Sequence, residues 1–190
     1  MRLEHSCPFC RQPIQAKEEN EKYLMKRLEA NDPVAMCQKG IELYIKKGEY
    51  SRAFDFLRKA AELGDVEAHA RLATMYDDGN GVEKDKEKRI HHLQIATIGG
   101  HPDARTMLGL AEFDDLLNVE RAVKHWIIAA TQGHDGAINT LMGMYKKLGS
   151  ASVIFEFSKE DLAAALRSHK AAVDATKSPE REAALQHSRT

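Results

Sequence analysis

Two cysteines near the amino terminus, Cys7-Pro8-Phe9-Cys10, have the spacing that lets two thiolates reach one zinc ion. Zinc closes a structural site with four ligands, and His5 offers a third donor at most. The pair alone is expected to hold no tight metal, and zinc becomes a cofactor only where the missing ligands are supplied. A redox reading of Cys-x-x-Cys needs a βαβ context that the flanking sequence lacks. Cys37, the third cysteine, falls inside a helical pattern, and three cysteines do not suggest a disulfide framework. Of nine histidines, His91 and His92 are adjacent on a helix, so their rings are expected to diverge. His101 and His134 stand at equivalent segment starts, which reads as a structural habit of the turn, and His125 precedes Trp126 on a packing helix. No His-x-x-x-His ligand pair and no nucleophile elbow occurs. Gly79-x-Gly81 lacks both the preceding strand and the Lys-Ser/Thr of a phosphate loop. No catalytic residue is assigned, and no cofactor is expected in this chain alone.

Charge narrows the partners. Lys and Arg total 28 against 29 Asp and Glu, a formal net charge of −1, so neither nucleic acid nor an anionic membrane is the expected partner. No apolar run is long enough to span a bilayer. Met1 to His5 lacks the apolar stretch of a secretory signal, so a cytoplasmic or nuclear location is expected.

The elements that must position any site follow from a repeat. Asn31-Asp32-Pro33-Val34-Ala35, Gly64-Asp65-Val66-Glu67-Ala68, Gly100-His101-Pro102-Asp103-Ala104 and Gly133-His134-Asp135-Gly136-Ala137 recur every 33 to 36 residues. Glycine suits the left-handed end of one helix, and Asp32 and Asp65 can accept from the free N–H groups that open the next. Pro33 and Pro102 fit a first helical turn. A first helix then carries Ala68, Leu72, Ala73 and Tyr76 on one face, matched by Ala104, Leu108, Gly109 and Phe113, by Ala137, Leu141 and Tyr145, and more loosely by Ala35, Gly40, Leu43 and Tyr44. Gly40, Ala73 and Gly109 leave room for a neighbouring helix. A second helix carries Phe54, Leu57 and Ala60, then Ile90, Leu93 and Ala96, then Val123, Trp126 and Ala129. One unit cannot bury both faces, so units must stack.

This predicts an all-α, right-handed α-solenoid of four helix pairs over 31–63, 64–99, 100–132 and 133–175. A capping helix is expected over 15–30. The last unit holds an irregular insertion, Leu148 to Phe157, before a helix opened by Ser158 and Asp161 in a capping box. Residues 176–190 read as a polar tail or short helix, and 1–14 stand apart from the repeats.

Leu72-Ala73-x-x-Tyr76, Asp78-Gly79-Asn80-Gly81-Val82, Asp85 and Ile95-Ala96-Thr97-Ile98-Gly99-Gly100 resemble the Sel1-like repeat, with tetratricopeptide repeats a near neighbour of the same helix-pair logic. The Gly-x-Gly-Val turn is intact once; Lys47-Gly48-Glu49-Tyr50 and Asp115-Leu116-Leu117-Asn118 are shorter. Cys7-Pro8-Phe9-Cys10-Arg11-Gln12-Pro13 resembles the last ligand pair of a RING finger, and the whole chain resembles the C-terminal part of proteins joining a RING finger to Sel1-like repeats. That resemblance implies a truncated RING over 1–14, whose complete form binds zinc and recruits a ubiquitin-conjugating enzyme.

Together these imply a non-enzymatic protein–protein interaction scaffold or adaptor. The alternative is the substrate-binding part of a RING-type ubiquitin ligase. A third reading, a repeat-fold hydrolase of the kind found among cysteine-rich bacterial relatives, is opposed by the lack of paired cysteines along the repeats. Helical geometry sets the inward-looking face of the first helices, opposite the stacking stripe. It names Cys37, Ile41 and Tyr44; Thr74 and Asp77; Thr106, Leu110 and Phe113; and Asn139 and Lys146 as the partner-binding row. Apolar anchors among polar groups suit a protein or peptide partner on the concave surface. Two points stay open at this stage: Phe113 can instead pack inside in place of the Tyr missing at Glu112, and Ile41 and Leu110 can pack against neighbouring helices and leave no groove.

Overall fold

At each repeat junction the chain must stop one helix and start another within three residues. Asn31 (φ 54°), Gly64 (89°), Gly100 (86°) and Gly133 (84°) take the left-handed conformation that ends a helix. The next residue caps the following helix. Asp32 accepts from the amides of Val34 and Ala35, and Asp65 from that of Ala68. In the later repeats a histidine does the same work: His101 Nδ1 accepts from Ala104 N at 3.2 Å, and His134 Nδ1 from Ala137 N at 3.0 Å.

The computed structural model describes residues 17–114, 118–148 and 158–176. They form α1 (Lys17–Glu29), α2 (Pro33–Glu42) continued by a π turn (Leu43–Lys47), α3 (Tyr50–Glu62), α4 (Val66–Asp78), α5 (Lys86–Ile98), α6 (Pro102–Asp114), α7 (Val119–Thr131), α8 (Asp135–Leu148) and α9 (Lys159–Ala175). No strand occurs among the described residues. This is an all-α repeat fold in which α2/α3, α4/α5 and α6/α7 pack as pairs, α9 packs on α7 and α8, and α1 covers α2. Ser158 and Asp161 form the expected capping box at α9. Residues 1–16, which include Cys7 and Cys10, the segments 115–117 and 149–157, and the tail 177–190 lie outside the described residues.

Stacking is enforced by where the apolar residues meet. One cluster joins Met36 of α2, Leu57 of α3 and Leu72 of α4; another joins Ala73 of α4, Leu93 of α5 and Leu108 of α6; a third joins Trp126 of α7, Leu141 of α8 and Ala165 of α9. Every cluster crosses a repeat boundary, so an isolated helix pair would leave large side chains in water at about 1.5–3 kcal/mol each. Close approach within pairs needs the small residues: a Cβ on Gly40 would meet Leu57 Cγ at 2.7 Å, and one on Gly109 would meet Trp126 Nε1 at 2.5 Å.

Polar ties reinforce the stack. With Nδ1 of each capping histidine accepting an amide, Nε2 carries the proton and reaches back one repeat. His101 Nε2 bonds Glu67 Oε2 at 2.7 Å, and His134 Nε2 pairs with Asp103. His169 of α9 lies 3.0 Å from Asp135 without hydrogen-bond geometry. The acidic partner sits each time in the first turn of the preceding first helix, where the helix dipole favours it.

Candidate functional site

Between the first and second repeats the groove side of the first helices opens into a cavity of about 240 Å³, lined by Ile41, Tyr44, Ile45, Leu57, Arg71, Thr74 and Met75. Three of these, Ile41, Tyr44 and Thr74, belong to the row expected from helical geometry. The π turn shapes this end. Its wider winding keeps Leu43 fully buried and turns Ile45 outward, 70% exposed. Leu57 and Met75 are buried and form the floor. Tyr44 ties the wall to the next repeat, donating its hydroxyl to Asp78 Oδ2 at 3.3 Å and accepting from Asn80 Nδ2 at 2.9 Å. Thr74 donates to Ala70 O, and Arg71 binds Glu67 Oε1 through Nε at 2.6 Å. Burial alone would raise the Glu67 carboxyl, but the His101 hydrogen bond and the adjacent Arg71 hold it below its ordinary range.

The rest of the row divides. Asp77 is exposed and bonds Arg89; Leu110, Asn139 and Lys146 are exposed. Cys37 and Thr106 are not on the open face, which corrects the helical-wheel assignment. They occupy equivalent positions and are buried by the cap of the following repeat. Cys37 is 3% exposed beside Asp65, and Thr106 donates to Pro102 O with its oxygen 3.0 Å from His134 Nδ1. Asn139 holds the same position in α8 and stays open, because no further first helix covers it among the described residues. Burial, followed by the neighbouring Asp65, pushes the Cys37 thiol up to about 12. Phe113 packs inward against Trp126, ring centroids 5.9 Å apart, while Glu112 itself fills the buried place that Tyr76 holds in the second repeat.

Sequence reasoning missed two polar clusters inside helix pairs. His69 Nδ1 meets His92 Nδ1 at 2.9 Å, and the His92 ring stacks on Tyr76. His91 stays exposed, but its ring meets that of His92 edge-on with centroids 5.5 Å apart, so the expected divergence of the adjacent rings is not observed. Burial, then the charges of His69 and His91, hold His92 down to about 4. In the third repeat Glu112, 1% exposed, pairs with Arg121 at 2.8 Å and leaves Oε2 without a hydrogen bond. His125 nearby is lowered by burial, then by Arg105. No group of three or more potential ligands among the described residues is arranged to hold a metal ion. No helix among them is long and apolar enough to cross a membrane.

Comparison with known proteins agrees with this architecture. The family model described as Sel1 repeat matches residues 35–65, 66–101 and 102–134. A Sel1 repeat protein from Oxalobacter formigenes is similar over 87% of this chain and 67% of its own, with 26% identity and a TM-score of 0.67. A protective antigen from uropathogenic Escherichia coli strains, displaying an SLR fold, shares the fold over 92% of this chain, with 24% identity and a TM-score of 0.59. The chain spans only 37% of that antigen's length. With three consecutive units matched over more than half of its length, the chain belongs to the Sel1 repeat family.

Proposed function

We propose that this chain is a non-enzymatic interaction scaffold whose first-helix face takes a protein or peptide segment. Sel1 repeat proteins generally mediate protein–protein interaction. The observation that carries the reading to a place is the cavity between α2 and α4, with Ile41, Tyr44 and Ile45 on one side and Arg71 and Thr74 on the other. Leu110, Asn139 and Lys146 extend the accessible face along later repeats, and Asp77 adds an exposed carboxylate. The test is partner capture by the immobilised chain compared with Ile45→Glu and with Ile41→Glu plus Asp77→Lys. The expected result is an unchanged helical signal with capture lost. Capture surviving in folded variants would move the partner to the convex side or to the insertion.

A second, finer reading rests on Cys7-Pro8-Phe9-Cys10: the repeats choose a substrate for a RING-type ubiquitin ligase whose remaining zinc ligands lie on another stretch of sequence. Upstream in-frame codons for Cys and His at RING spacing would support it, and their absence from the transcript would remove it.

A further inference from the structure

We infer that the cavity between the first two repeats selects a peptide presenting an aliphatic side chain beside an acidic one; this deepens the reading of that face as a partner site. Its volume, about 240 Å³, falls below the roughly 300–1,000 Å³ of pockets that enclose whole small molecules. It suits a single inserted side chain. The floor and one wall are apolar: Leu57 and Met75 are each 1% exposed, and Ile41 and Ile45 stand above them. An aliphatic anchor therefore meets apolar contact on the floor and along this wall.

The second half of the specificity comes from which polar groups remain available. The Tyr44 hydroxyl is engaged twice, giving its proton to Asp78 and accepting one from Asn80. Asp77, farther along α4, is bound by Arg89. Thr74 has spent its proton on Ala70 O, so its oxygen can only accept. Arg71 is held through Nε alone, and its terminal amino groups have no partner among the described residues. What the cavity offers a visitor is thus a guanidinium edge and a hydroxyl acceptor above an apolar floor. A carboxylate fits the guanidinium in two-pronged fashion, and a backbone N–H beside it fits Thr74. A basic segment would set like charge against Arg71.

The probes are fluorescein-labelled 12-residue peptides with one Leu on an Ala/Ser background and Glu, Gln or Lys placed one to four residues away. Binding to the full chain is read by fluorescence anisotropy. At least one Glu spacing is expected to bind at least tenfold more tightly than its Gln counterpart, with Lys weakest. Arg71→Glu should erase that preference and bind the Lys peptide best. Ile45→Glu should weaken all of them. Arg71 and Ile45 are 48% and 70% exposed, so both variants are expected to keep the wild-type helical signal, with Arg71→Glu losing at most about 1 kcal/mol from its pair with Glu67. Equal affinity for Glu and Gln peptides, or a preference unmoved by Arg71→Glu, overturns the acidic specificity while loss on Ile45→Glu upholds the partner face. Affinity unchanged by Ile45→Glu, or no binding by any peptide, overturns the inference; the capture experiment above then judges the face itself.

Discussion

Glycine to alanine at two helical positions should move stability in opposite directions. In α6, a Cβ on Gly109 would lie 2.5 Å from Trp126 Nε1, 2.8 Å from Cδ1 and 3.1 Å from the carbonyl oxygen of Ala122. Trp126 is 1% exposed, and its Nε1 donates to Thr106 O at 3.1 Å, so the indole cannot retreat without losing a buried hydrogen bond. Overpacking costs about 1–3 kcal/mol. Displacing the indole proton from its acceptor adds about 1 kcal/mol or more. Alanine's better helix propensity returns about 1 kcal/mol. The net expectation is a loss of about 1–3 kcal/mol. In α8, no described residue lies within 4 Å of a Cβ added to Gly143, so Gly143→Ala keeps only the gain of about 0.5–1 kcal/mol. The entropy that alanine removes from the unfolded chain is common to both variants and cancels in the comparison. Urea titration followed by far-ultraviolet circular dichroism and by the fluorescence of the single Trp reads both. With an m-value of about 2 kcal/mol/M, Gly109→Ala should lower the midpoint by about 0.5–1.5 M, and Gly143→Ala should raise it slightly. A midpoint raised by Gly109→Ala would refute the close α6–α7 packing on which the reasoning rests.

Acid should weaken the second repeat. His92 is held near 4 in the fold against 6.5 in the open chain, so the unfolded state binds more protons between these values and stability falls as pH drops through that window. The full linkage of about 3 kcal/mol is cut by solvent at the half-buried ring to about 1–2 kcal/mol. His92→Phe should flatten the slope of urea midpoint against pH between 6.5 and 4; an unchanged slope would assign it elsewhere. Cys37, its thiol pushed up to about 12 by burial, should resist iodoacetamide at pH 8 and label fully in urea, as read by mass spectrometry of its tryptic peptide. Fast native labelling would contradict its burial. Glu112→Leu should be neutral or stabilising, because it removes a buried carboxylate with one unbonded oxygen. Arg121→Ala should cost about 1–3 kcal/mol by leaving that carboxylate unpaired, and thermal melts that rank the two variants in reverse would remove the pair from the account.

The features legible in the sequence are local and periodic. Left-handed junctions, aspartate caps at Asp32 and Asp65, the Ser158–Asp161 box and the small residues Gly40 and Gly109 each announce themselves within one turn of chain. The misread positions depend on a neighbour about thirty residues away. Cys37 and Thr106 lie on the groove side of an isolated helix, yet the next repeat's cap descends on them. Of the row, Ile41, Tyr44 and Thr74 line the cavity, whereas Cys37 and Thr106, one turn earlier in their helices, are buried. Ile45 was missed because the π turn shifts helical phase, and Arg71 because it lies beside the row rather than in it. His69 and His92, 23 residues apart, carry no pairing signal a single sequence reveals.

Equivalent positions across the units separate frame from chemistry. Ala35, Ala68, Ala104 and Ala137 are all fully buried, as are Ala60, Ala96 and Ala129 on the second helices. These small side chains set interhelical distance, and a larger residue at any of them would push a pair apart. Beside them the same buried place holds Leu43 in the first repeat, Tyr76 in the second and Glu112 in the third. The equivalent second-helix place holds Phe56, His92 and His125 in turn, and in the third repeat Glu112 pairs with Arg121, one turn before His125. Apolar contact, ring stacking and an ion pair thus serve one backbone geometry, because the alanines and the junctions already fix it. The groove is freer still: Ile45, Leu110, Asn139 and Lys146 are exposed and support no helix cap among the described residues. Substitution there changes the exposed surface without changing how the units stack. Under the proposed function, partner choice is separable from stability, and variants drawn from those four positions should melt with the wild type.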